Sequence, residues 1–97
     1  THSDALPVGK TMLYRLKGLV EELDRSGDKI NLARFLYTLA RMQPQKQKDE
    51  AKYERQMEIY GDVLEQLYYW VKADKDRKEL LTALHLAIYY MRDNQKN

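Results

Sequence analysis

An all-α fold is what this sequence predicts: a compact bundle of four or five mostly antiparallel helices with a long third helix. Apolar residues recur at three- and four-residue steps through four stretches. No stretch alternates apolar and polar residues with the two-residue period of a half-buried strand. The connectors between the stretches are short, which favours antiparallel neighbours.

Residues 1–9, with Pro7 and Gly9, read as an extended lead-in. The first helix is expected from Lys10 to Arg25, where Met12, Leu13, Leu16, Leu19, Val20 and Leu23 form one apolar stripe. Ser26-Gly27 ends it, because glycine takes the left-handed backbone that stops a helix at little steric cost. Asp28 is the expected N-cap of a second helix from Lys29 to Met42. Its core stripe is Leu32, Phe35, Leu36 and Leu39; Ile30, Arg34, Tyr37 and Arg41 lie opposite. Pro44 terminates it, and residues 43–48 form a polar, basic connector.

The third helix is expected from Lys48 to Lys72. Tyr53, Met57, Tyr60, Leu64, Leu67 and Val71 make a heptad-like seam, too short for a long coiled coil and suited to a bundle. Ile59, Val63 and Trp70 add a second stripe. Gly61 within it marks a close contact or a weak point, at ~1 kcal/mol relative to alanine. A fourth helix should start at Lys75 or Arg77, capped by Asp74 or Asp76, and run to Asp93. Leu80, Leu81, Ala83, Leu84, Leu86, Ala87, Ile88, Tyr90 and Met91 cover more than half its circumference, as in a helix beneath a partner or central to a bundle. Residues 10–94 thus read as one helical domain, with 95–97 a frayed tail.

The 97 residues suffice for one core. With 43% apolar and 33% charged residues, the composition is that of a globular chain. Zero cysteines exclude disulfides, thiolate metal sites and cysteine nucleophiles. No apolar run approaches the ~18–20 residues that span a bilayer, so a soluble chain without membrane partners is expected. The net charge of +2 is small but unevenly spread. Residues 34–55 carry six bases (Arg34, Arg41, Lys46, Lys48, Lys52, Arg55) against Asp49, Glu50 and Glu54, a local +3. Residues 56–71 carry Glu58, Asp62 and Glu65 and no base, a local −3. Such a polarised field orients charged partners.

Catalytic groupings are missing from the pattern. His2 and His85 each lack a second histidine at helical spacing, so no metal site is expected, and His85 reads as a half-buried boundary residue. No glycine-rich phosphate loop or nucleophile elbow occurs, so no cofactor or small-molecule substrate is implied. The carboxylate pairs Glu21/Glu22, Glu54/Glu58 and Glu58/Asp62 read as solvated charges. The chain alone is not expected to be an enzyme.

Two surfaces remain as binding candidates. Arg34, Tyr37 and Arg41 share a helix face, continued along the chain by Lys46, Lys48, Lys52 and Arg55. Arginine offers paired donors to phosphate oxygens, and tyrosine stacks on bases. Arg34 and Arg41 lie about 10 Å apart along the axis, a span of one or two nucleotides. The competing reading is a solvated basic face neutralised by Asp49, Glu50 and Glu54. The second surface holds Tyr68, Tyr69, Trp70, Tyr89 and Tyr90, which read either as core rim or as anchors for a protein partner. Tyr53 and Tyr60 read as core rims with wet hydroxyls, and Tyr69 shares the acidic side with Glu58 and Asp62. The first two helices do not make a DNA-reading helix-turn-helix, because the second would present too few polar residues to a groove.

Three stretches, Gly9–Leu16, Ile30–Met42 and Lys75–Arg92, resemble the C-terminal helical domain of the large subunit of type III-A CRISPR effector complexes. In that family a Leu-Tyr-Arg-Leu-type helix precedes an apolar helix ending in Ala-Arg, and a last apolar helix ends in Arg. Leu13-Tyr14-Arg15-Leu16, Ala40-Arg41 and Arg92 hold the matching positions. The resemblance implies a cytoplasmic, prokaryotic antiviral assembly module that packs on the small subunit and backbone subunits beside guide and target RNA. Arg92 thereby joins the protein-contact candidates. The whole subunit of that family cuts single-stranded DNA and makes cyclic oligoadenylates. The His-Asp nuclease pair and Gly-Gly-Asp-Asp palm motif of those activities are not in this sequence. The resemblance therefore implies an excised or cleaved domain, with a free-standing small subunit or a homodimeric protein-interaction bundle as alternatives.

Overall fold

The computed structural model describes residues 8–26 and 29–96. Four α-helices account for most of them, with no strand among the described residues, and the predicted all-α class is what is found. The chain divides into two compact units, Thr1–Met42 and Gln43–Asn97.

In the first unit, α1 (Val8–Ser26) packs against α2 (Lys29–Met42). The first helix begins two residues ahead of the expected Lys10. Leu13, Leu16, Val20 and Leu23 of α1 are buried at alternating three- and four-residue steps, and so are Phe35 and Leu39 of α2. Burying each such side chain stabilises the pair by roughly 1.5–3 kcal/mol. Leu36, expected in the core stripe, is exposed instead. The centre of the buried stripe falls between Phe35 and Leu39, which leaves Leu36 on its flank at 100° per residue. The anticipated Gly27 terminator and Asp28 cap, like His2, lie outside the described residues.

In the second unit, α3 (Glu50–Trp70) pairs with α4 (Lys78–Lys96). The helix starts at Glu50, not Lys48, because Asp49 is its N-cap. The Asp49 backbone is extended at ψ 92°, and its Oδ1 accepts the Lys52 amide at 3.0 Å. Lys48 therefore belongs to the connector, which Gln47 ties back to α3 by donating to Gln56 Oε1 at 3.1 Å. Beyond Trp70 the chain widens into one π-turn, Val71–Lys75, and the Asp76 amide reaches Val71 O at 2.9 Å. Asp76 stands in the left-handed region at φ 46°, ψ 47°, which a short polar side chain tolerates. Neither expected cap of the fourth helix serves as one. Asp74 lies within the π-turn and Asp76 closes it, while α4 opens on Leu81 N–H bonding to Arg77 O at 2.9 Å.

The seam positions Met57, Tyr60, Leu64, Leu67 and Val71 are all buried and Tyr53 is half-buried, as the heptad-like spacing predicts. Leu80, Leu84 and Met91 are buried among the described side chains of α4. Gly61 lies under Met91 and Arg92, while Tyr68 faces His85, so the two helices run antiparallel. A Cβ at Gly61 would stand 2.6 Å from Met91 Cε and 3.3 Å from Arg92 Cζ. The glycine thus allows α4 side chains to lie directly on the α3 backbone.

Candidate functional site

The seven basic-face candidates divide between the two units, three in the first and four in the second. Arg34, Tyr37 and Arg41 stand exposed on α2. The four-residue spacing sets Arg41 over the Tyr37 ring, 5.7 Å from its centroid, and Arg41 Nη1 donates to Tyr37 Oη at 3.3 Å. The ring remains 63% exposed, so the guanidinium is held against an aromatic plane while both face solvent. Arg34 O accepts from Thr38 Oγ1 at 2.9 Å, and the Arg34 side chain is exposed one turn before. Ala33, Leu36 and Ala40 are exposed on the same helix.

Lys46 and Lys48 lie on the connector, and Lys52 and Arg55 on the first turns of α3; all four are exposed. Asp49, Glu50 and Glu54 share that segment. Farther along α3 the exposed ridge continues through Glu58, Asp62, Gln66 and Tyr69, passing from basic to acidic on one helix.

The aromatic candidates all fall in the second unit. Tyr69, Tyr89 and Tyr90 are 60–66% exposed, whereas Tyr68 and Trp70 are half-buried. Tyr68 meets Tyr69 edge to face at 5.5 Å and lies 6.3 Å from the His85 ring on α4. Tyr89 and Tyr90 pair edge to face at 5.8 Å. Lys75 Nζ sits 5.4 Å from the Trp70 ring centroid, a contact that the π-turn makes between residues five apart. Arg92 Nη2 donates to Glu65 Oε1 at 2.7 Å across the two helices, in a part-buried bridge. No spacing in the sequence pointed to Glu65 as that partner, since the two are brought together only by helix pairing.

His85 is exposed, not half-buried as expected, because it lies about 100° around α4 from the buried Leu84. Leu86 is likewise exposed. Tyr60 departs from the expected rim position: it is 5% exposed, and burial pushes its phenol up to about 12. Among the described residues no group of three or more His, Asp and Glu side chains gathers to hold a metal ion. No helix among them is long and apolar enough to cross a membrane.

Fold and surface together define an all-helical module that exposes Arg34, Tyr37 and Arg41 on one helix and Tyr69, Tyr89 and Tyr90 on two others. Residues 3–93 match the family model of the CRISPR RNA silencing complex Cmr2 subunit, second helical domain, and the chain belongs to that family. The expected helical domain of a CRISPR effector subunit is thereby found. No curated protein and no solved structure matches the chain.

Proposed function

We propose that this domain is a non-catalytic assembly module of a CRISPR antiviral effector, packing on neighbouring subunits beside the guide and target RNA. Family membership over residues 3–93 carries the reading. The α2 face of Arg34, Tyr37 and Arg41, with Lys46, Lys48, Lys52 and Arg55 farther along, lies near the RNA backbone in this proposal. The solvent-facing Tyr37–Arg41 pair supports it, because it offers a stacking plane and a phosphate donor together. Tyr68, Tyr69, Trp70, Tyr89, Tyr90 and Arg92 meet a protein subunit, a role supported by the exposed rings. DNA cleavage and cyclic oligoadenylate synthesis fall to other segments of the parent subunit, and the complex works in the prokaryotic cytoplasm.

Fluorescence anisotropy with labelled single-stranded RNA tests the nucleic-acid role. Binding should weaken with salt at a slope of about −0.7 per phosphate contact, and the double variant Arg34→Ala/Arg41→Ala should lower that slope by roughly 1.4. Affinity weaker than millimolar at low salt, unaltered in the double variant, removes RNA contact from this domain. A second reading, homodimerisation through Tyr68-Tyr69-Trp70, draws on the exposure of Tyr69. A single monomeric species in sedimentation at high concentration excludes it.

A further inference from the structure

Resting on the assignment of the second hairpin to protein contact, we propose that its Tyr68–Tyr69–His85–Tyr89 face docks a basic amphipathic helix of a partner protein. The face is built across both helices. Tyr69 and Tyr68 meet at 5.5 Å on α3, and Tyr68 approaches His85 of α4 at 6.3 Å. Tyr89 stands one turn beyond His85 on the same side of α4. The groove between two antiparallel helices is a natural seat for the side-chain ridge of a third. Tyr69 and Tyr89 contribute little to the hairpin's own core, being 66% and 60% exposed.

The charge around these rings selects the occupant. Glu58 and Asp62 stand exposed on the α3 ridge that leads to Tyr69, and residues 56–71 contain no lysine or arginine. Among the described side chains, Arg92 is a base that α4 brings to this side, and it is engaged by Glu65 at 2.7 Å. The carboxylates at this end repel a phosphate backbone and attract lysine and arginine, whose cations also favour tyrosine faces. Past Tyr69 the exposed charges are mixed, Lys72 and Lys78 standing among Asp74, Asp76 and Glu79, so the purely acidic stretch is the one that holds Glu58 and Asp62. A docked helix therefore lies with its basic end over Glu58 and Asp62, and its apolar stripe on the rings.

Nuclear magnetic resonance titration of the ¹⁵N-labelled chain with two synthetic helical peptides tests this. The peptides share a leucine stripe, and their polar positions are Lys/Arg in one and Glu in the other. The basic peptide should move the Tyr68, Tyr69, His85 and Tyr89 amides and bind at least tenfold tighter than the acidic one. Glu58→Lys/Asp62→Lys should abolish that preference, and Tyr69→Ala/Tyr89→Ala should weaken binding of both peptides about tenfold. Equal binding of the two peptides at this face overturns the basic partner while leaving a protein-contact surface intact. Shifts elsewhere, or no binding, overturn the docking site. Shifts of these amides on raising chain concentration alone assign the face to a second copy and overturn the proposal as well.

Discussion

The two helical hairpins solve the same packing problem differently, and their interior glycines show how. Gly18 of α1 would meet nothing within 4 Å if it carried a Cβ, whereas Gly61 of α3 lies directly against Met91 and Arg92. In the first hairpin a row of leucines, a valine and Phe35 fills the contact. In the second, the ends of the Met91 and Arg92 side chains fill the space that a side chain at Gly61 would take, and a cross-helix ion pair sits beside that point. The same residue type is thus idle in one hairpin and a packing element in the other.

Leu64→Ala in α3 is expected to cost about 2–5 kcal/mol, since the side chain is fully buried and α4 cannot collapse freely into the space. Urea unfolding followed by circular dichroism measures it, and a loss below 1 kcal/mol would show the second core to be plastic. Gly61→Leu should cost about 1–3 kcal/mol by overpacking against Met91, with Met91→Ala in the same chain restoring part of the loss. If the two changes are simply additive, the contact does not limit the packing.

Alkaline titration separates the hairpins by a different property. Tyr60 in the folded chain ionises near 12 against an ordinary 10, so above pH 10 the unfolded chain releases this proton first. Stability should therefore fall as pH rises from about 10 to about 12, by roughly 1.4 kcal/mol at pH 11 from this group. Tyr60→Phe should remove that part of the slope in pH-dependent urea melts; an unchanged slope would place its source elsewhere.

Gly18→Ala should stabilise the first hairpin by up to about 1 kcal/mol, since the new methyl meets no neighbour and the chain loses a flexible residue. A rise in melting temperature checks it, opposite in sign to Gly61→Leu. Smallest is Glu65→Gln, at about 0.2–1 kcal/mol, because both partners are more than a third exposed and solvent screens them. A double-mutant cycle with Arg92→Met measures the coupling.

The helix-forming stretches, the buried seam from Met57 to Val71 and the exposed Arg34–Tyr37–Arg41 face were all legible from spacing, because a helix maps sequence interval directly onto surface angle. The family was legible too, since its helical words lie in order along the chain. Spacing failed wherever a partner helix or a turn intervened. Leu36 and Leu86 are apolar at helical intervals yet exposed, because a facing helix covers only part of the circumference. Asp76 has a capping side chain, but the π-turn delivers it in a left-handed backbone that closes one helix instead of opening the next. The Glu65–Arg92 bridge and the Tyr68–His85 contact join residues 27 and 17 positions apart, a proximity created by how two helices pair and written in neither one.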